Sequence, residues 1–349
     1  MTFRDQVARI APPVAGLLLA ACTTAAPQAN SPQIPTASPV GIAATPRPEV
    51  ATPSPTAIPP PMTGDALARL VDAPAMLAHL EALQAIADDH GRHRATGSAG
   101  FEASAAYVAG VLRSAGYDVE RQPFEVDGVA SVNLLVDQPG AAGDEVVALG
   151  AHLDSVFAGP GINDNGSGVA ALLVIAEQLR QLPAPRRTVR FAFWGAEEGG
   201  PFGSPAYVDE LEPAELARIT AYLNFDMLGS PNAVRFVYDE AEAAPGSQQL
   251  TDLFAATIED AGLPWEPIDL EGDSDHGPFT EAGIPTGGLF SGGIEPVTDA
   301  QAALFGARAG EPADECSHRA CDTLDNVDLA TLEEMTRIIA RVLVALAVP

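Results

Sequence analysis

The chain has 349 residues, with 18 Arg, no Lys and 47 Asp and Glu, for a formal net charge of −29. That balance excludes a nucleic-acid partner, because a phosphate backbone needs clustered cations. Hydrophobic residues make up 47% of the chain, enough to bury a large core in one big domain or two average ones.

Residues 1–22 read as an export signal. Arg4 and Arg9 form a positive n-region, and Val14 to Ala21 form an apolar stretch too short to span a bilayer. The ending Leu19-Ala20-Ala21-Cys22 resembles the bacterial lipobox, in which Cys22 is lipidated and becomes the first mature residue. A plain signal peptide that contains a Cys is the alternative. Residues 23–63 follow, rich in Pro, Thr and Ala, with only Arg47 and Glu49 charged and no apolar period. They are expected to form a disordered or extended tether. The expected location is the outer face of the cell membrane, reached through the N-terminal lipid alone, or the medium if the chain is secreted. Cys316 and Cys321 then meet oxidising conditions and are expected to form a disulfide that closes a small loop.

Residues 64–349 carry no further linker. Apolar spacing of three and four predicts helices over Leu67–Ala87 and Ala103–Ala115. Short apolar runs predict strands over Tyr117–Phe124, Val132–Val136, Val146–Gly150, Thr188–Trp194, Ala221–Phe225 and Val234–Tyr238. Helical spacing returns over Gly168–Gln181, Gln248–Ala261 and Leu329–Ala347. Strands alternating with helices favour an α/β sandwich around a largely parallel sheet. Ligands of such folds sit beyond the carboxyl ends of the strands, which directs attention to the segments just after these runs.

Five such segments carry polar residues. In Gly150-Ala151-His152-Leu153-Asp154-Ser155, His152 is a possible metal ligand whose far ring nitrogen Asp154 would orient. A structural His–Asp pair fits equally well. In Gly159-Pro160-Gly161-Ile162-Asn163-Asp164-Asn165-Gly166, Asp164 stands where a tight turn can aim both carboxylate oxygens at cations, or simply cap the loop. Phe193-Trp194-Gly195-Ala196-Glu197-Glu198 ends an apolar strand in adjacent carboxylates, which are costly to desolvate without cations nearby. Asp226 interrupts the apolar run Tyr222–Leu228, and a buried Asp without a partner is rare. His318 lies between the two cysteines, with Asp322 or Asp325 in reach to orient its ring; taken singly it reads as a surface His. Mixed imidazole and carboxylate donors suit Zn²⁺ better than a dedicated Ca²⁺ or Mg²⁺ cage.

Taken together, GAHLDS, GPGINDNGSG, FWGAEE, YLNFDMLGSPN, SDHGPF, GIPTGGLFSG and CSHRACDTLDN resemble metallopeptidase family 28, the dizinc aminopeptidases, and in particular secreted bacterial leucyl-type members. The likeness covers nearly all of residues 65–349. It implies a three-layer α/β/α sandwich and two Zn²⁺, the first held by His152 and Asp226, the second by Glu198 and His318, with Asp164 bridging. It makes Asp154 the orienter of His152 and Glu197 the general base, with Phe290 at a wall of the pocket for the first side chain. Peptides are the implied substrates, and a monomer is expected. Calcium finds no support in the sequence.

Two positions depart from these relatives. Ser317 stands where they carry a Tyr that stabilises the oxyanion, so the metals or a Tyr from another loop would have to compensate. Asp273 stands where they carry Arg, adding negative charge near the substrate's N-terminal side. His276 is expected to support the loop rather than bind metal, and His79, His90 and His93 to lie on helix faces or the surface. Another metallo-exopeptidase or a glutaminyl cyclase on the same scaffold, or a peptide-binding lipoprotein, are the competing readings.

Overall fold

The computed structural model describes residues 62–240 and 243–348. The export signal with Cys22 and nearly all of the expected tether lie outside the described residues.

The chain builds ten α-helices and eight strands among the described residues. The first part holds α1 (Gly64–Ala68), α2 (Ala73–Asp89), α3 (Ala99–Ser114), β1 (Glu120–Val126), β2 (Val129–Gln138), β3 (Val146–His152) and α4 (Gly166–Leu179). Next come β4 (Thr188–Trp194), α5 (Gly203–Glu210), α6 (Pro213–Leu216), β5 (Ile219–Phe225), β6 (Phe236–Tyr238) and α7 (Ser247–Asp260). The last part holds β7 (Glu266–Ile268), α8 (Gly277–Glu281), β8 (Thr286–Phe290), α9 (Asp299–Phe305) and α10 (Leu329–Ala347).

All eight strands join one sheet in the order β1-β2-β4-β3-β5-β8-β6-β7. The central strands β4, β3, β5 and β8 run parallel, while β1, β2 and β6 enter antiparallel pairs toward the edges. Every residue of β3 is buried, as a parallel strand covered on both faces requires. Alternate residues serve opposite faces. Leu149 and Phe191 join Leu80, Val108, Leu172, Phe254 and Ile339 from the helices of one layer. Ala148, Ala192 and Trp194 face the other way, into a cluster with Tyr207 of α5 and Phe279 of α8. There Tyr222 and Phe279 stack with ring centroids 3.8 Å apart. The result is a three-layer α/β/α sandwich.

Several local expectations change, among them the strand expected over Tyr117–Phe124, which runs over Glu120–Val126. The helix expected over Leu67–Ala87 is broken in two, because the Asp72 side chain accepts the Ala75 N–H at 2.9 Å and caps a fresh start. Pro74 belongs in that first turn, where its missing N–H costs nothing. The strand expected from Val234 begins only at Phe236. Most consequentially, the central strand β8 escapes a hydrophobic-run search because it reads Thr-Gly-Gly-Leu-Phe. Its glycines are demanded by packing: a Cβ on Gly288 would lie 2.3 Å from the Asn224 carbonyl oxygen. The expected Cys316–Cys321 disulfide is present, with Cα atoms 5.2 Å apart. Among the described residues no helix is long and apolar enough to cross a membrane.

Candidate metal centre

The parallel strands end at one rim of the sheet. His152 is the last residue of β3, Glu197 and Glu198 follow β4, and Asp226 follows β5. Asp164 lies in the loop from β3 to α4, and the peptide that joins it to Asn165 is cis. Asn165 caps α4 by accepting the Gly168 N–H at 3.0 Å, which anchors the loop's far end. His318 is presented by the disulfide-closed loop. Ala196, Met227 and His318 all hold left-handed backbone, with φ of 59°, 50° and 59°. Such conformations are costly for residues with a Cβ and concentrate at functional sites.

The side chains of these strand ends and loops converge. His152 Nε2 lies 3.3 Å from Asp164 Oδ1 and 3.4 Å from Asp226 Oδ1. His318 Nε2 lies 3.2 Å from Asp164 Oδ2 and 3.2 Å from Glu198 Oε2. The two oxygens of Asp164 therefore serve different imidazoles, and each imidazole Nε2 lies within 3.4 Å of one further carboxylate. Donor atoms of His152, Asp164 and Glu198 all lie within 4.8 Å of one another. Glu197 Oε2 is 3.9 Å from His152 Nε2.

The electrostatics among these side chains are unfavourable. Burial pushes Glu198 up to about 7, with the Asp164 charge acting the same way against His318 and His152. Burial also holds Glu197 well above the ordinary carboxylate range; His152 opposes this, while Asp226, Asp275 and Glu198 reinforce it. Burial depresses the His152 imidazole, but the facing carboxylates, led by Asp226 and Glu197, outweigh it and raise His152 well above its usual value. The facing carboxylates of Asp164 and then Glu198 raise His318 to about 11. Glu198 Oε2 and Asp226 Oδ1 are buried without a hydrogen-bond partner. Native interiors rarely tolerate such acceptors. Both orphan oxygens face an imidazole Nε2, so a cation between them would satisfy the whole set.

Several roles differ from those read in the sequence. His152 Nδ1 reaches the Asp154 backbone carbonyl at 3.2 Å, while the Asp154 carboxylate stands 3.7 Å away. That carboxylate instead accepts the backbone N–H groups of Glu197 and Glu198 at 3.1 and 3.4 Å, tying β4's end to β3's. Asp322 does not orient His318. Its oxygens accept the N–H groups of Asn163 and Asp164 at 2.8 and 3.0 Å, fixing the loop that carries Asp164. Burial first, and the Asp164 charge second, push Asp322 up to about 7. Ser317 donates to Asp164 Oδ2 at 3.2 Å. Among the described residues no Tyr lines the adjoining cavity, so the compensating Tyr is not found there. The sequence offered no signal for Ser274, which donates to Asp226 Oδ2 at 3.3 Å and accepts from Asn224 at 3.0 Å.

The remaining histidines stay outside the cluster. His276 is fully buried, with Nε2 3.1 Å from Glu240, consistent with loop support. His79 lies on the buried face of α2, as a helix-face role requires, whereas His93 is buried in the connection after it rather than on a helix face or the surface. His79 bridges Tyr107 and Glu177 across the helical layer.

The carboxylates open on a cavity of about 820 Å³. Its walls include Phe236, Ile268, Leu270 and Phe290, and Asp273 and Glu295 add acidic groups.

Residues 133–343 match the family described as Peptidase family M28. The chain is 45% identical over 266 residues to leupeptin-inactivating enzyme 1 of Streptomyces exfoliatus, an alignment covering 75% of this chain and 59% of that protein. It is 43% identical over 244 residues to the probable lipoprotein aminopeptidase LpqL of Mycobacterium tuberculosis, covering 64% and 49% of the two chains. The chain thus spans about half the length of these curated relatives. Its fold is similar to that of the aminopeptidase from Aneurinibacillus sp. strain AM-1, with a TM-score of 0.68, 19% identity, and coverage of 82% of this chain and 97% of that one. Over the matched residues and in its fold, the chain belongs to peptidase family M28.

Proposed function

We propose that the protein is a zinc aminopeptidase that cleaves the bond after a peptide's N-terminal residue, with two zinc ions sharing Asp164. The division of the Asp164 oxygens between His152 and His318 carries this reading. Imidazole and carboxylate donors suit zinc, and the orphaned oxygens of Glu198 and Asp226 mark where cations would fit. His152 and Asp226 would hold one ion, Glu198 and His318 the other. Bound zinc would polarise the scissile carbonyl and acidify water toward neutral pH.

The chain's own groups supply the rest. Glu197 takes a proton from the attacking water and returns it to the leaving amine. The Asp154 carboxylate holds the Glu197 backbone, and the Asp154 carbonyl fixes the His152 tautomer that leaves Nε2 free to bind metal. The surplus of carboxylates receives a free α-ammonium, which makes the enzyme a reader of N-termini. Phe236, Ile268, Leu270 and Phe290 offer an apolar wall to the first side chain.

A panel of aminoacyl p-nitroanilides tests this reading. Leu is expected to be hydrolysed, and Arg to be tolerated better than Glu by about tenfold or more, because Asp273 and Glu295 repel a like charge. Release of the last rather than the first residue from a test peptide would refute the aminopeptidase assignment. Preference for Glu would refute the role given to Asp273.

We further propose that the chain is exported and anchored through a lipid on Cys22. The Cys316–Cys321 disulfide supports an oxidising compartment, and one relative is described as a probable lipoprotein aminopeptidase. Labelled palmitate is expected to enter the full chain and not the Cys22→Ala variant; an unlabelled wild-type chain refutes anchoring.

A further inference from the structure

Arg94, in the connection between α2 and α3, is completely buried. Its guanidinium fans out to three backbone carbonyls of one loop: Nη1 to Leu153, Nε to Pro160 at 2.8 Å and Nη2 to Gly161 at 2.5 Å. Its backbone N–H donates to Ser155 Oγ at 2.8 Å, and Ser155 Oγ donates onward to Gly159 at 3.0 Å. This loop begins beside Asp154 and runs into Asp164. Gly161 makes the approach possible: with φ 64°, a Cβ there would lie 2.4 Å from the Asp164 carbonyl oxygen and 3.2 Å from Arg94 Nη2.

All three guanidinium acceptors are neutral. The charge is balanced at longer range, by Asp154, Asp322, Glu198 and Asp164. Desolvating a cation to bond neutral carbonyls is costly, and a Met of similar length would fill the space without that cost. A Lys would keep the charge, but its ammonium is a point that cannot span three carbonyls as a planar fork does.

We propose that Arg94 is a positioning residue of the metal centre: it casts the 153–161 loop around its guanidinium, fixing Asp154 and Asp164 at the loop's two ends. Its fixed charge also relieves repulsion among the carboxylates before a cation arrives. This inference rests on reading the centre as a zinc site.

The test titrates the metal-free full-length chain with zinc alone against a chromophoric chelator, and measures kcat and KM on Leu-p-nitroanilide. Arg94→Met is expected to weaken zinc binding about 10–100-fold, the range for groups that orient ligands, with kcat falling and KM little changed. Arg94→Lys is expected to fold as wild type does and still to bind zinc weakly. Wild-type zinc affinity in either variant overturns the proposal. Should neither variant fold, Ser155→Ala, which removes the hydroxyl joining Arg94 to Gly159, is expected to weaken zinc binding several-fold; unchanged affinity overturns the proposal. A wild-type chain that binds no zinc refutes the metal reading itself, and this inference with it.

Discussion

Glu197→Gln is expected to lower kcat by about 10²–10⁴-fold, the usual contribution of a positioned general base, with zinc content unchanged. Glutamine keeps the size of the side chain but cannot take a proton. The backbone is held independently of the side chain, since the Glu197 N–H bonds to Asp154, so the local fold should survive. Glu197 stands 3.9 Å from His152 Nε2, farther than Asp164 at 3.3 Å and Asp226 at 3.4 Å, which is why its loss should spare the metal. Metal analysis beside kinetics separates the possibilities. Full activity would remove Glu197 from the chemistry. Zinc lost together with activity would make Glu197 a ligand instead.

Asp164→Asn should have the broadest effect, because both imidazoles depend on one side chain. His152 and His318 lie 3.3 and 3.2 Å from its two oxygens. A neutral carboxamide replaces one of those acceptor oxygens by a donor nitrogen, which faces a metal-binding nitrogen unproductively. Zinc bound per chain is expected to fall from two toward none, and kcat/KM by more than the 10–100-fold typical of groups outside the ligand set. The loop should hold its shape, because Asp322 bonds the Asp164 backbone rather than its side chain. Asp226→Asn is the comparison: it should weaken one ion and leave the other. Equal losses in the two variants would deny Asp164 a shared role.

Much of this arrangement was legible in the sequence, for a physical reason. Parallel strands buried on both faces must be apolar, so β3, β4 and β5 announce themselves and their polar ends stand out as His152, Glu197–Glu198 and Asp226. The glycine-rich loop and the cysteine pair likewise drew attention to Asp164 and His318. What stayed hidden depends on which atom meets which. Asp154 was expected to act on His152 through its carboxylate, yet that carboxylate holds the Glu197 and Glu198 backbone while its carbonyl faces the imidazole. Asp322 was expected to reach the His318 ring but serves Asn163 and Asp164 from 158 or more residues away in sequence. Strand β8 was missed because Gly287 and Gly288 remove the apolar signal where neighbouring atoms leave no room for a Cβ. Arg94 carries no local pattern, and only the folded loop shows why a buried cation stands there.

The shared centre can be seen by diffraction from crystals of the zinc-loaded chain at the zinc absorption edge. Two anomalous peaks are expected, one between His152 and Asp226 and one between His318 and Glu198, each about 2.0–2.2 Å from a different Asp164 oxygen. A single peak, or peaks that leave Asp164 unbound, would contradict the paired-zinc centre.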